Sequence, residues 1–376
     1  MPDWRVPLVD VTIDELEVEA VAETYRSGWL SSGPRIELLE QRFAGYTGAA
    51  HAIAVTNCTA GLHLICAAAG LGEGDEVIVP SLTFVATANA VRYTGATPVF
   101  ADIGGLERPW ITAETAAAAI GERTRAIFNM TYGGHPGDSA GLAALAADRR
   151  LLLLEDAAHG LGGSLDGRHL GTFGLAGAYS FFSNKNLPVG EGGMVVSDDD
   201  EIAERARLLR SHAMTSVTWD RHRGHASSYD VVDLGFNYRM DEPRAALATV
   251  RLERLDADNA RRAAAAALYR ERLAAIEGVS ATMPVDVALG ERPAHHLFTV
   301  VLDRGLDRDG VRERMAEQGV QTSLHYPPIH RFSAYGVAAE LPRTEAYAER
   351  AISLPLFPTI SEEQVGLVAS SLAEAL

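Results

Sequence analysis

From residue 75 onward the chain alternates two hydrophobic rhythms. Asp75-Glu76-Val77-Ile78-Val79-Pro80 is a β-branched run after a glycine turn and predicts a strand; the next apolar stretch, Ala86 to Val91, has helical spacing. The couple recurs, with a strand over Thr97–Asp102 and a helix over Ala113–Ile120, then a strand over Arg125–Met130 and a helix over Gly141–Arg149. Leu151 to Leu154 form an unbroken apolar run ending in Glu155 and Asp156, as expected of a parallel strand buried on both faces. A further strand is expected over Ala178–Ser183. Upstream, Thr56 to Ala69 opens with hydroxyl and small residues and continues as a helix. Strands alternating with helices predict an α/β fold, an open and mostly parallel sheet with helices on both faces. Ligands collect at the carboxyl ends of such strands, which makes Asp156 a candidate site residue, the alternative being a cap on the following turn.

The chain has 376 residues, more than one hydrophobic core usually holds, so two units are expected. Residues 1–250 would form a large cofactor domain and 251–376 a smaller C-terminal lobe. The alanine- and arginine-rich stretch Arg251–Glu277 reads as the boundary helix, and a strand over His296–Leu302 would cover one side of the pocket. Apolar residues make up 47% and charged residues 22%, so disorder and fibrous classes are excluded. Acidic residues outnumber basic ones 50 to 33, for a net charge of −17; nucleic acid and anionic membranes are poor partners for that surface. No apolar stretch approaches the ~18 residues of a membrane span. The start, Met1-Pro2-Asp3-Trp4-Arg5, lacks the basic and apolar regions of a signal peptide, so a cytoplasmic protein is expected. Two cysteines, Cys58 and Cys66, give neither a disulfide framework nor a zinc spacing, and no metal is expected.

One count changes the picture. The 33 basic residues comprise 32 arginines and one lysine, Lys185. Arginine supplies charge equally well on a surface, but it cannot lose its proton and act as a nucleophilic amine. Lys185 is therefore either a chance survivor or a position that requires an amine. It follows a predicted strand and precedes Gly190-Glu191-Gly192-Gly193, a loop able to bend tightly round a ligand or simply to close a hairpin. The Thr56-Asn57-Cys58-Thr59-Ala60-Gly61 segment offers free helix-start amides with hydroxyls beside them, a cradle for phosphate. An amine, a strand-end acid and a phosphate cradle are what pyridoxal phosphate needs.

Several ordered motifs, Ser27-Gly28-Trp29-Leu30, Asn57 to Leu64, Pro80 to Ala90, Glu155-Asp156-Ala157-Ala158-His159, Ser180 to Gly193, Leu234 to Met240 and Leu354-Pro355-Leu356-Phe357-Pro358, together resemble the DegT/StrS family of pyridoxal phosphate-dependent sugar aminotransferases, of fold-type I. The resemblance covers nearly the whole chain. It implies that Lys185 forms the imine with the cofactor, that Asp156 partners the pyridine nitrogen, and that His159 takes the family's Gln/His position beside the cofactor. Phe84 resembles the aromatic that stacks on the ring; Thr59, Ala60 and Ser180 match phosphate-binding positions. Asn237 resembles the residue that reaches the phosphate from the other subunit of a homodimer. Lysine at 185, where some members carry histidine and act as dehydratases, implies transamination.

The stretch His212-Ala213-Met214 with Gly235-Phe236-Asn237-Tyr238-Arg239 is more similar to members that aminate C4 of nucleotide-linked 4-keto-6-deoxy sugars, such as a dTDP-4-keto-6-deoxyhexose. Arg221 and Arg223, with His222 and His225 beside them, are candidates for the sugar nucleotide's diphosphate, which planar guanidinium groups bind in pairs. Trp29, His325, Tyr326 and His330 complete the substrate candidates. L-Glutamate is the amino donor by resemblance. A C3-specific or inosose aminotransferase, or a cofactor-binding regulator without turnover, are the alternatives. A Rossmann dehydrogenase is disfavoured because Gly70-Leu71-Gly72-Glu73-Gly74 precedes a strand instead of following one. The arginine bias fits a GC-rich source and, with an amino-sugar enzyme, natural-product biosynthesis or cell-surface polysaccharide synthesis.

Overall fold

The computed structural model describes residues 4–215 and 228–376. Helices α1 (Glu15–Ser27) and α2 (Pro34–Thr47) lead into β1 (His51–Val55) and α3 (Cys58–Ala68). There follow β2 (Glu76–Pro80), α4 (Ala86–Tyr93), β3 (Thr97–Ala101), α5 (Ala113–Ala117), β4 (Thr124–Met130), α6 (Ser139–Arg149) and β5 (Leu152–Asp156). They alternate as the hydrophobic rhythm predicts. After the short β6 (Ser164–Leu165) and β7 (Arg168–His169) come β8 (Ala176–Ser180), β9 (Gly193–Ser197) and α7 (Asp200–Arg210). Seven strands form the central sheet, in the order β1-β9-β8-β5-β4-β2-β3. Strands β3, β2, β4, β5 and β8 run parallel, whereas β9 pairs antiparallel with both β8 and β1. The strand expected to run through Ser183 stops at Ser180, because the chain leaves the sheet there and returns as β9. Lys185 thus lies in the connection between two antiparallel strands.

The long helix α8 (Glu242–Leu273) begins earlier than the expected Arg251, because Asp241 caps it by accepting from the Arg244 amide and Pro243 occupies its first turn. Its first half buries Ala245, Ala248, Leu252 and Leu255 against Leu39 and Phe43 of α2 and the sheet. Arg251 and Glu17 of α1 form a buried ion pair at 3.0 Å. The second half of α8 enters a separate core. There Ala265, Tyr269 and Leu273 pack on Val300 and Leu302 of a small sheet built from β10 (Val279–Ala281), β12 (Phe298–Leu302) and β13 (Ala351–Leu354). Between β10 and β12 runs β11 (Glu291–Arg292), which pairs with β6 instead. Helices α9 (Arg308–Glu317), α10 (Pro342–Arg350) and α11 (Glu362–Ala375) complete this C-terminal part. No described helix is long and apolar enough to cross a membrane.

Candidate active site

Neighbouring parallel strands bring their carboxyl ends to one rim. β5 and β8 are in register, Asp156 opposite Ala178, so Asp156 and Ser180 end side by side. The rim opens onto a cleft of about 760 Å³. Of the residues singled out in the sequence, Thr59, Ala60, Phe84, Asp156, His159, Ser180, Lys185, His325 and Tyr326 all line it. They come from five separated stretches of chain, and the fold alone assembles them.

Asp156 is buried, and each of its oxygens accepts a hydrogen bond: Oδ2 from Thr87 Oγ1 at 2.6 Å and Oδ1 from the Ala158 amide at 3.1 Å. Thr83, 2.8 Å from Thr87 Oγ1, supplies the donor behind that hydroxyl. Burial raises the Asp156 carboxyl above its usual range, opposed by these two donors and by Lys185. Lys185 answers in the opposite sense: desolvation of the amine pulls it down to about 8, while Asp156 and Cys58 act to raise it. Near neutrality such an amine is available as a base and nucleophile to an extent that an ordinary lysine is not.

Two neutral histidines stand beside this pair. His159 accepts from the Gly133 amide at Nδ1, 3.2 Å away, and meets Tyr326 Oη at Nε2, 3.0 Å away. Burial holds its imidazolium form far below the usual histidine range. His325 bonds Ser353 Oγ through Nδ1 at 2.8 Å, and its carbonyl accepts from Tyr132 Oη. The other wall is the start of α3. Asn57 caps it, its side chain accepting from the Ala60 amide at 2.9 Å, and the amides of Cys58 and Thr59 face no intrahelical carbonyl. Gly193 is required here: a Cβ would stand 2.7 Å from the Tyr179 carbonyl oxygen and 2.8 Å from the Cys58 amide. Phe84, 55% exposed, leans over the cleft with its ring centroid 5.9 Å from that of Tyr326.

Three expected site residues lie elsewhere. His330 is buried outside the cleft because both of its ring nitrogens are engaged, Nδ1 with Ser81 Oγ at 2.6 Å and Nε2 with Glu345 at 3.1 Å, which fastens α10 to the end of β2. Trp29 packs over Gly33 at the start of α2. Asn237 is exposed and pairs with Ser211 in an isolated bridge; its neighbour Tyr238 lines this chain's cleft, but Asn237 itself does not. Arg221, Arg223, His222 and His225 fall outside the described residues. Among the described residues, no group of three or more His, Cys, Asp or Glu is placed to hold a metal. Sequence reasoning misses Thr87, whose partner Asp156 is 69 residues away, and His296, which opens an expected strand and whose partner Lys185 is 111 residues away.

Parallel strands with a strand-end carboxylate, a desolvated lysine and a free helix start define a class of α/β enzyme that anchors a phosphorylated, carbonyl-bearing cofactor. The chain belongs to the DegT/DnrJ/EryC1/StrS aminotransferase family, whose pattern it matches over residues 11–373. Among solved structures it is similar to the aminotransferase TlmJ from Streptoalloteichus hindustanus, with 35% identity and a TM-score of 0.92 over 99% of this chain and 98% of that one. DesV of S. venezuelae, solved in complex with a ketimine intermediate, is 36% identical with a TM-score of 0.89, over 98% of each chain. DesI, solved in the presence of its TDP-sugar product, is 34% identical with a TM-score of 0.88, over 99% of this chain and 93% of that one. The fold is that of the fold-type I aminotransferases.

Proposed function

We propose that this protein, a sugar aminotransferase that uses pyridoxal phosphate, takes its amino group from L-glutamate and delivers it to C4 of a nucleotide-linked 4-keto-6-deoxyhexose. The observation that carries the reading is that Lys185 and Asp156 line one cleft whose far wall is the start of α3. The residues fit the cofactor. Asp156 keeps acceptor capacity on both oxygens after its bonds to Thr87 and Ala158, so it can receive a ring N–H, and that cation would favour its ionised form. The amides of Cys58 and Thr59, with the hydroxyls of Thr59 and Ser180, would hold the phosphate. Phe84 and His159 line the cleft where they would flank the ring.

When bound, the cofactor supplies an electron sink for the bond broken at the substrate carbon. The chain's own groups do the rest. Asp156 would hold the proton on the ring nitrogen. Lys185, neutral above about pH 8, would accept and hold at Nζ the proton that leaves the donor's Cα. Phe84 and Tyr326 limit water at the mouth of the cleft. The C4 assignment rests on the His212-Ala213-Met214 and Gly235–Arg239 pattern; the TDP-sugar product named with DesI favours a nucleotide-linked acceptor. The working unit is proposed to be a homodimer in which Asn237 reaches the partner's cleft.

The visible spectrum of the purified protein with pyridoxal phosphate, before and after L-glutamate, tests the reading. A yellow band that glutamate bleaches, absent in Lys185→Ala and Lys185→Arg, is the expected result. A wild-type band indifferent to glutamate would remove the donor assignment, and turnover in either variant would remove Lys185. Amination of a 3-keto isomer in preference to the 4-keto sugar would remove the C4 assignment.

A further inference from the structure

Lys185 faces a row of side chains that the mechanism above leaves unused. Its Nζ lies 3.4 Å from Nε2 of His296, two residues before the start of β12. Which nitrogen of that ring carries the proton is decided by the groups behind it. The carbonyl of Leu161 can only accept, and it accepts from Asn259 Nδ2 at 3.1 Å, which turns Asn259 Oδ1 toward Asn186. Asn186 Nδ2 donates to that oxygen and to the carbonyl of Ala294, both at 2.7 Å. Its own Oδ1 is thereby left facing His296 Nδ1, 3.0 Å away. An amide oxygen cannot donate. The proton of neutral His296 therefore sits on Nδ1, and Nε2 presents a lone pair to the lysine. His159, whose ring centroid lies 4.2 Å from that of His296, has the opposite tautomer, since its Nδ1 accepts from the Gly133 amide. Two backbone carbonyls, those of Leu161 and Ala294, thus determine which face of an imidazole the lysine meets.

Burial keeps His296 neutral, and His159, Lys185, Arg262 and His325 all oppose a second proton on it. The amides of Asn186 and Asn259 neither take up nor pass on a proton, so nothing behind the ring can drain one away. This is the arrangement of a clamp and not of a relay. We propose that His296 is a positioning residue for Lys185: an Nδ1-protonated imidazole, held by Asn186 and Asn259, that accepts a hydrogen bond from Nζ and fixes the amine at the cleft wall whenever it is not bound to the cofactor. The proposal rests on Lys185 being the cofactor amine. It goes further by naming the three residues that aim it and by leaving the transferred proton with Lys185 itself.

The test exploits the composition. Lys185 is the only lysine among 376 residues, so full-length protein labelled with ¹³Cε-lysine gives a single lysine NMR signal. Adding pyridoxal phosphate should displace that signal; one that stays put overturns the cofactor role of Lys185, separately from the clamp. Titrating the cofactor-free protein then reads the clamp, with Asp156, Cys58, His159 and His325 also facing the amine. An acceptor at Nε2 favours the ammonium form, so His296→Leu should lower the titration midpoint by about one pH unit. His296→Gln, which keeps an acceptor, should return most of that shift. Asn186→Leu, which removes the acceptor facing His296 Nδ1, should lower the midpoint in the same direction by freeing the imidazole to take the other tautomer. A purely structural role would lower the melting temperature and leave the lysine signal alone. An unmoved midpoint in His296→Leu overturns the proposal. Should that variant fail to fold, a wild-type midpoint in Asn186→Leu overturns it equally.

Discussion

At Lys185 the surroundings decide chemistry more than the residue type does. Drawn out of water, the amine falls from the usual lysine value of 10.5 to about 8, although Asp156 pulls the other way. The sign of the pH effect follows: below about 8 the amine is increasingly protonated and cannot attack a carbonyl. The rate at which the cofactor-free protein captures pyridoxal phosphate should therefore rise about tenfold from pH 6 to pH 7 and level off above pH 8 to 9. Stopped-flow absorbance checks this, and a rate still climbing at pH 10 would mean that the amine is an ordinary one. Asp156 makes a complementary case. In Asp156→Asn the side-chain oxygen can still accept from Ala158 and the amide can donate to Thr87, whose own hydroxyl has the Phe84 carbonyl within 3.2 Å. Folding should therefore survive while the ring nitrogen loses its anionic partner. We expect kcat to fall by about a hundredfold or more with little change in melting temperature; an unchanged kcat would falsify the role of Asp156.

Among the elements, α3 and β9 are locked together by the absence of a side chain. Gly193→Ala puts a methyl group against the Tyr179 carbonyl and the Cys58 amide, so either β9 or the helix start must move. A loss of about 1–3 kcal/mol of stability is expected. Because the displaced amides are those proposed to hold phosphate, the Kd for pyridoxal phosphate should rise in parallel, which fluorescence titration can read. Much of this sheet is legible in the sequence. Strands β2 to β5 are legible because burial on both faces writes itself as short, continuous apolar runs such as Val77 to Val79 and Leu152 to Leu154. Asp156 and Lys185 are legible because one ends such a run and the other is the chain's only lysine. The antiparallel return of β9 is not, since its alternative as one more parallel strand has the same composition. The start of α8 is set by the cap at Asp241, not by the alanine-rich body that draws the eye. His296 and Thr87 act through partners 111 and 69 residues distant, and no local spacing encodes such a pairing.

On the scale of the whole molecule, a single chain leaves an apolar surface beside Asn237. Val231, Val232 and Leu234 are 54%, 55% and 80% exposed, a few residues from Asn237, which is proposed to reach the phosphate in the partner's cleft. Covering that surface with a second copy would account for both, because a twofold interface presents Asn237 of each chain to the cleft of the other. Subunit mixing tests this without a structure of the dimer. Lys185→Ala subunits lack the amine; Asn237→Asp subunits carry a charge that repels phosphate; each should be nearly inactive alone. If the residues of one site come from two chains, a mixed dimer has one intact site, with Lys185 from one chain and Asn237 from the other, and one site lacking both. Random reassembly at equal concentrations yields half mixed dimers, so about a quarter of wild-type activity should return. If Asn237 serves its own chain, every site in the mixed dimer lacks one of the two residues and mixing restores nothing. An Asn237→Asp protein that is fully active alone, or that runs as an active monomer by light scattering, would equally remove the shared site.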